Sequence, residues 1–211
     1  MRARMVQKLV ASGIRDAAVL HAMATVERHR FVDSALVNQA YEDTSLPIGL
    51  GQTISKPSIV ARMSELLRGA QAARGTGLGR VLEIGTGCGY QAAVLSVLAR
   101  EVYSMERLRA LHEKARDNLR PLRLVNVHLL LGDGMLGYAQ GAPYAGILAA
   151  AGGAVVPQAW TDQLAVGGRL VAPMALAGGQ QALLVLDKTA HGLQQTLLEP
   201  VHFVPLKSGI A

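Results

Sequence analysis

The chain has 211 residues, half of them hydrophobic, which is enough for one well-filled core and little more. Its formal net charge of +6 comes from scattered basic residues, a pattern typical of solvated helix faces that mildly attract acidic substrates. Aromatic residues make up 4% of the chain, which excludes a stacking surface for single-stranded nucleic acid, so we expect no nucleic-acid partner.

The sequence has no pattern typical of secretion or membrane insertion. Lys8, Arg15 and Asp16 interrupt any apolar core of a signal peptide. The longest weakly apolar run, 145–156, contains three glycines and is shorter than the ~20 residues that span a bilayer. The single cysteine, Cys88, excludes an internal disulfide. We therefore expect a soluble cytoplasmic protein, a monomer or weak dimer, with no membrane partner.

The first third of the chain reads as helical. Met5 and Leu9 recur at helix spacing before a stop at Gly13, Asp16 can cap a second helix, and a third begins near Ser34. Prolines and glycines then predict an ordered loop over 41–57.

After this loop, Ser55 precedes a further helix that carries Ile59, Val60, Met63, Leu66 and Leu67. The Gly- and Ala-rich stretch 69–79 reads as a linker. We therefore expect a single domain with a helical cap and substrate loop over 1–78 and a cofactor-binding core over 79–211.

From residue 80 onwards, short apolar runs alternate with helical patterns. The predicted strands are 81–84, 101–105, 125–131, 146–150, 169–172, 182–186 and 197–204, and the predicted helices are 90–99, 108–119 and 157–164. Strands that alternate with helices indicate right-handed crossovers, so the sequence predicts an α/β fold with a mainly parallel, twisted sheet.

A glycine-rich turn follows the first predicted strand of this sheet. Gly85, Gly87 and Gly89 allow a sharp turn and close ligand approach, and the helix behind them offers unpaired N–H groups. A dinucleotide site prefers a third glycine or alanine where Tyr90 stands. The observed spacing, with Glu83 two residues ahead, is the pattern of S-adenosylmethionine enzymes.

Acidic residues end the next two predicted strands. Glu106 is placed to accept hydrogen bonds from two ribose hydroxyls, and Asp133 to accept one from the adenine amino group. A lone glycine turn can be a plain tight connection. The glycine turn, Glu106 and Asp133 lie at the ends of three successive predicted strands. Together they favour a site for S-adenosylmethionine, with S-adenosylhomocysteine as the product.

The chain resembles the protein-L-isoaspartate O-methyltransferase family. The segments that carry the resemblance are 40–57, 80–95, 102–107, 132–134, 167–171 and 203–206. The resemblance implies a Rossmann-like methyltransferase fold with an N-terminal helical cap. It also implies methyl esterification of the α-carboxyl group of L-isoaspartyl residues in damaged proteins and peptides, which would be the partners of this chain.

Candidate site residues follow from the glycine turn, the strand ends and the resemblance. The candidates for cofactor binding are Glu83, Gly85, Thr86, Gly87, Gly89, Glu106, Arg107, Asp133 and Gly134, and those for substrate binding are Thr53, Ile54, Ser55 and Val204. Ser55 matches the active-site serine of the family. It also reads as the N-cap of the next helix, and both roles can coexist because a capping oxygen keeps its own proton to donate.

The sequence departs from the family pattern at the fourth strand of the α/β region, at Ala145 and at 149–152. These changes leave two alternatives open, a different carboxyl or hydroxyl substrate and a cofactor-binding homologue with weak or no catalysis. The six histidines show no metal-ligand spacing, so we expect no metal. A helix N-terminus can lower a thiol pKa, which makes redox sensitivity of Cys88 a further hypothesis.

Overall fold

The N-terminal third of the chain is helical, as predicted. The computed structural model describes residues 1–72 and 77–211. Asp16 accepts hydrogen bonds from the backbone N–H groups of Ala18 and Val19, which confirms it as the cap of the second helix. The elements of this part are α1 (Arg2–Ala11), α2 (Ala17–Thr25), 3₁₀ helices at Arg28–Phe31 and Ser34–Gln39, and α3 (Pro57–Ala72).

The segment 41–57 is not a plain loop, and that prediction was wrong. It contains a hairpin of β1 (Leu46–Gly49) and β2 (Gln52–Ile54), in which Leu46 lies opposite Ile54. Strands of four and three residues are too short to show a clear period of two, and the prolines and glycines that suggested a loop are tolerated in a two-stranded edge hairpin.

The predicted linker 69–79 was also wrong where it is described. Helix α3 continues to Ala72 and the next strand already begins at Leu78, while residues 73–76 lie outside the described ranges. Alanine favours helix, and α3 packs against the sheet, so tertiary contacts support helix where composition suggested a break.

A seven-stranded sheet forms the centre of the molecule, in the order β5-β4-β3-β6-β7-β8-β9. Strands β3 to β7 are parallel and the last two antiparallel, which confirms the predicted α/β class. The strands are β3 (Leu78–Ile84), β4 (Ala99–Glu106), β5 (Val127–Leu131), β6 (Tyr144–Ala149), β7 (Leu164–Ala175), β8 (Gln181–Thr189) and β9 (Gly192–Val201). The helices between them are α4 (Tyr90–Leu98), α5 (Arg109–Leu119) and α6 (Gln158–Gln163).

The strand order reverses at β3, which pairs with β4 on one side and with β6 on the other. Connections from neighbouring strands leave in opposite directions at such a point and open a crevice at the carboxyl edge of the sheet. The carboxyl ends of the parallel strands β3, β4 and β6 therefore lie at this crevice. Within the described ranges, no helix combines the length and apolarity needed to cross a bilayer.

We expect Asp16→Ala to lower the free energy of unfolding by about 2 kcal/mol, because it removes both the α2 cap and the 2.8 Å ion pair with Arg68. Asp16→Asn keeps a capping oxygen and should cost less. Urea denaturation measures both, with the exposed Asp117→Ala on α5 as the control. A loss for Asp117→Ala as large as that for Asp16→Ala would contradict this account.

The pH dependence of the same variants provides a second measurement. Burial would raise the pKa of Asp16, but the hydrogen bonds from Arg68 and the backbone lower it below the ordinary value of 3.8. A lowered pKa stabilises the fold above the pKa of the unfolded chain, and the stabilisation is lost as the pH falls through the folded-state pKa. The wild type and Asp16→Asn should therefore converge in acid below pH 4.

Candidate cofactor and substrate site

A cavity of about 460 Å³ lies at the carboxyl edge of the sheet, at the reversal point. Its walls come from the glycine turn, the β1–β2 hairpin, the ends of β4 and β6, and the segment that follows β9. The predicted site residues that line it are Thr53, Ile54, Ser55, Gly85, Thr86, Gly87, Glu106, Arg107, Gly134 and Val204. Its volume falls in the ordinary range for small-molecule sites.

The glycine turn is fixed to the end of β4. Gly85 and Gly87 have positive φ values of +90° and +56°, which only glycine adopts at little cost. The Gly85 N–H donates to the carbonyl of Met105 at 2.8 Å. Tyr90 and Gln91, in the first turn of α4, line the cavity. The first N–H groups of a helix have no partner within the helix, so this end of α4 favours an anionic group.

The Glu106 carboxylate ties this turn to the start of α5. Its Oε2 accepts from the Gly87 N–H at 2.8 Å, and its Oε1 accepts from the N–H groups of Arg107 and Leu108 at 2.9 Å. A carboxylate has about four acceptor positions, so one remains, on Oε2. One ribose hydroxyl therefore has a free acceptor position on Glu106, and the second ribose contact stays a prediction.

Glu83 is fully buried and does not line the cavity. The predicted direct contact between Glu83 and the cofactor is therefore not possible in this structure. The Ser104 hydroxyl donates to Glu83 Oε2 and lies 2.6 Å from the hydroxyl of Thr86, which does line the cavity. Burial raises the pKa of Glu83 to about 8, with a smaller raising effect from the Glu106 charge. Glu83 therefore stabilises the glycine turn indirectly, through Ser104 and Thr86.

Asp133 and Gly89 also lie outside the cavity lining. The Asp133 carboxylate accepts hydrogen bonds from the backbone N–H groups of Met135 and Gly209, at 2.9 and 2.7 Å. In this structure it therefore binds the protein backbone, whereas the sequence predicted that it binds the adenine amino group. Gly89 starts α4 with φ +91°, and a Cβ there would lie 3.0 Å from Leu119. Its role is steric.

Ser55 lies where the β1–β2 hairpin meets α3. It is half-buried, lines the cavity, and makes no hydrogen bond within the described part of the chain. The start of α3 is capped by Asp43, whose Oδ1 accepts from the Ser58 N–H at 2.8 Å. The N-cap interpretation of Ser55 was therefore wrong, and its hydroxyl is free to donate to a ligand.

The redox hypothesis for Cys88 was wrong as well. The thiol is 2% exposed, and burial raises its pKa to about 11, against the lowering that a helix N-terminus would give. A thiol with a raised pKa is a poor nucleophile and oxidises slowly. Cys88 packs in the hydrophobic core beneath the turn and also borders the cavity.

Sequence reasoning missed three amide or ammonium side chains of the cavity, Gln52, Gln91 and Lys207. The Gln91 amide donates to the Ser64 hydroxyl at 3.1 Å. A glutamine in the first turn of a mostly apolar helix is the signal that could have identified it. Lys207 had no such signal, because it reaches the cavity only through the path of the chain after β9.

The walls of this cavity fit S-adenosylmethionine. Backbone N–H groups at the start of α4 suit a carboxylate, Glu106 has one acceptor position for a ribose hydroxyl, and Met105 and Leu111 provide apolar surface for a base. A glycine turn at the reversal point of a mainly parallel sheet, joined to these walls, defines an S-adenosylmethionine-dependent methyltransferase.

Comparisons with known proteins give the family. The family model described as protein-L-isoaspartate(D-aspartate) O-methyltransferase matches residues 1–211. Proteins named protein-L-isoaspartate O-methyltransferase from Methylibium petroleiphilum and Leptothrix cholodnii are each 62% identical, over 99% of this chain and 78% and 74% of their own lengths. The chain belongs to the protein-L-isoaspartate(D-aspartate) O-methyltransferase family.

Solved structures agree with the fold. A protein-L-isoaspartate O-methyltransferase structure has a TM-score of 0.87 and 30% identity, over 100% of this chain and 67% of the other. A candidate enzyme of the same name from Plasmodium falciparum, solved with S-adenosyl-L-homocysteine, has a TM-score of 0.80 and 22% identity, over 98% of both chains. The second likeness bears on the fold alone.

Glu83→Gln should change how stability depends on pH. Because the folded-state pKa is raised, the native protein keeps a proton that the unfolded chain releases above about pH 4.5, so stability falls as the pH rises to about 8. The slope can reach ~1.4 kcal/mol per pH unit. Glu83→Gln removes this slope.

Urea denaturation from pH 5 to pH 8 measures the slope in both proteins. Glu113→Gln, an exposed change on α5, is the control and should keep the wild-type slope. Parallel curves for wild type and Glu83→Gln would show that Glu83 is ionised in the native state.

Proposed function

We propose that this chain transfers the methyl group of S-adenosylmethionine to the α-carboxylate of L-isoaspartyl residues in damaged proteins and peptides. One observation supports this most directly: the glycine turn and Ser55, whose hydroxyl has no hydrogen-bond partner among the described residues, line the same cavity. The cofactor supplies an electrophilic methyl group on a sulfonium sulfur. The product is a neutral ester, and S-adenosylhomocysteine leaves as a neutral thioether.

The reaction requires no general base from the protein. A carboxylate with an ordinary pKa of about 4 is ionised at neutral pH, so its oxygen already carries the electron pair that attacks. The task of the chain is to hold this oxygen in line with the methyl carbon and the leaving sulfur and to exclude water. Ser55 can orient the acceptor by donating a hydrogen bond to it.

The other site residues divide between the two ends of the cavity. In this proposal Gly85, Thr86 and Gly87 hold the cofactor through backbone groups, and Glu106 accepts from one ribose hydroxyl. Substrate contacts come from the hairpin residues Thr53, Ile54 and Ser55 and from Val204, while Gly134 lies beside the adenosyl end.

Methylation of isoaspartyl residues is favoured over the two alternatives, methylation of another carboxyl or hydroxyl substrate and cofactor binding without catalysis. Relatives at 57–62% identity carry the name of this activity. Ala150 and Ala151, at the changed end of β6, line the cavity with methyl side chains, which leave room beside the transferred group.

Location, assembly and domain division are further parts of this proposal. We place the protein in the cytoplasm as a monomer or weak dimer, with residues 1–78 as cap and substrate loop and 79–211 as cofactor core. The lone, buried Cys88 supports a reducing compartment. A hydrophobic cluster that joins Met5 and Met23 of the cap to Val81 and Leu95 of the core supports one folding unit.

Paired peptides that differ only in an isoaspartyl or aspartyl linkage test the reaction. With radiolabelled S-adenosylmethionine we expect base-labile label on the isoaspartyl peptide alone. Equal labelling of both peptides would point to a different carboxyl acceptor. Binding of S-adenosylhomocysteine without labelling of either peptide would contradict the proposed activity.

Ser55→Ala should lower kcat for the isoaspartyl peptide by about tenfold to a hundredfold, because it removes one hydrogen bond to a charged group. Calorimetry should show an unchanged Kd for S-adenosylhomocysteine. Ser58→Ala, three residues further in α3, is the matched control, since only the backbone N–H of Ser58 is bonded to Asp43. Equal losses of kcat and of cofactor affinity in Ser55→Ala would exclude an orienting role.

A further inference from the structure

Arg28 is a buried cation without a counter-ion. It begins the 3₁₀ helix Arg28–Phe31 and is 0% exposed. Among the residues that the structure describes, no carboxylate oxygen lies within 4.0 Å of its guanidinium. Burial lowers the pKa of Arg28, but a guanidinium keeps its proton at neutral pH, so a full positive charge stays inside the protein.

The hydrogen bonds of Arg28 do not neutralise this charge. Nε donates to the Ala40 carbonyl at 2.8 Å and Nη2 to the Thr44 carbonyl at 3.4 Å, and both acceptors are uncharged. Nη1 is buried and has no partner within the described ranges. The Asp43 carboxylate attracts Arg28 from further away, but it is exposed and accepts from the Ser58 N–H. A buried, unpaired cation is costly unless an anion approaches it.

Tyr90 and Cys88 connect Arg28 to the cavity. The guanidinium carbon lies 4.9 Å from the centroid of the Tyr90 ring, a distance at which a cation is attracted to the ring. Burial raises the pKa of the Cys88 thiol to about 11, and the Arg28 charge opposes this increase, so the charge acts on Cys88. Both residues line the cavity, whereas Arg28 does not. Arg28 therefore lies behind this wall.

The same wall carries the start of α4. Tyr90 is the first residue of this helix, and Gln91, the second, also lines the cavity. A helix N-terminus has a partial positive charge. The wall therefore presents a positive potential from two sources, the end of α4 and the Arg28 guanidinium, and it favours an anionic ligand group.

We propose that Arg28 is a buried counter-charge for the carboxylate at the amino-acid end of S-adenosylmethionine and of its product. It contacts neither ligand and acts as a positioning residue through the wall formed by Cys88 and Tyr90. The proposal rests on the proposed function, because it takes these molecules as the ligands. At an effective dielectric constant of about 20, two unit charges about 10 Å apart attract each other enough to change a Kd about tenfold.

Two ligands that differ by one carboxylate test this charge. Decarboxylated S-adenosylhomocysteine keeps the adenosyl group, the sulfur and the amino arm. In calorimetry we expect Arg28→Met to raise the Kd of S-adenosylhomocysteine by about tenfold. The Kd of the decarboxylated ligand should stay unchanged or fall, because its ammonium group is no longer repelled. An equal loss of affinity for both ligands would show that Arg28 only supports the fold, and would overturn the proposal.

Arg169 provides the matched control. It is partly buried, does not line the cavity, and donates two hydrogen bonds to the Asp187 carboxylate at 2.7 and 2.8 Å, so its charge is paired. Arg169→Met should lower stability and leave the ratio of the two Kd values unchanged. A change of this ratio as large as that in Arg28→Met would show that lost stability alone alters selectivity, and would contradict the assignment.

Arg28→Lys separates the charge from the hydrogen bonds. Lysine and methionine have similar lengths, and both lose the fork that reaches the Ala40 and Thr44 carbonyls. At about pH 6, where a buried lysine is more fully protonated, Arg28→Lys should recover most of the selectivity for the carboxylate that Arg28→Met loses. Equal selectivity in the two variants would assign the effect to the lost hydrogen bonds and overturn the counter-charge.

Salt distinguishes Arg28 from the exposed Lys207, which also lines the cavity. A buried charge is screened little, so the selectivity of the wild type should persist between about 0.05 M and about 0.5 M KCl. Selectivity that disappears at the higher concentration, and is equally absent in Lys207→Met, would assign the effect to Lys207.

The outcomes for Arg28 and for the proposed function can be told apart. Wild-type binding of S-adenosylhomocysteine with the same ratio of Kd values in Arg28→Met overturns the role of Arg28 and leaves the methyltransferase proposal intact. Failure of the wild type to bind S-adenosylhomocysteine overturns both.

Discussion

The carboxylate of Glu106 joins two of the segments that line the site. It accepts backbone hydrogen bonds from Gly87 in the glycine turn and from Arg107 and Leu108 ahead of α5. These bonds fix the turn after β3 to the end of β4, and charge-assisted bonds of this kind are stronger than neutral ones. The turn is thereby shaped by the protein itself, with one acceptor position left for a ligand.

Preorganisation of this kind suits a reaction that requires alignment and no proton transfer. The attacking carboxylate is supplied ionised by the substrate, so the chain contributes geometry and exclusion of water. Supporting groups are accordingly placed beneath or around the cavity. Glu83 is buried and hydrogen-bonded to Ser104, which contacts Thr86, and Asp43 caps α3, so that Ser55 has no hydrogen-bond partner among the residues described.

The walls of the cavity differ in how they are attached. The β1–β2 hairpin and the segment after β9 both line it, and both carry exposed residues, at Leu50 and from Lys207 onwards. The glycine turn is held by backbone hydrogen bonds to Met105 and Glu106. Segments that bury little apolar surface open locally at a lower free-energy cost than segments held in this way.

The sequence by itself determined the α/β class, most of the strands from β3 onwards, the glycine turn and the acidic end of β4. These features depend on local patterns, namely apolar runs of strand length, helix-period spacing and glycines with positive φ. It also placed Ser55 next to a helix and marked 203–206 through the family resemblance.

Only the tertiary structure decided which of these residues meet. The hairpin at 46–54 is too short to show a period, and its strands are specified by pairing with each other and by packing on the core. Asp133 lies at a strand end, as the pattern required, yet its carboxylate is taken by Gly209, 76 residues further along the chain. Contacts between residues so distant in sequence leave no local signal, because they depend on strand order and on the path of the chain across the sheet.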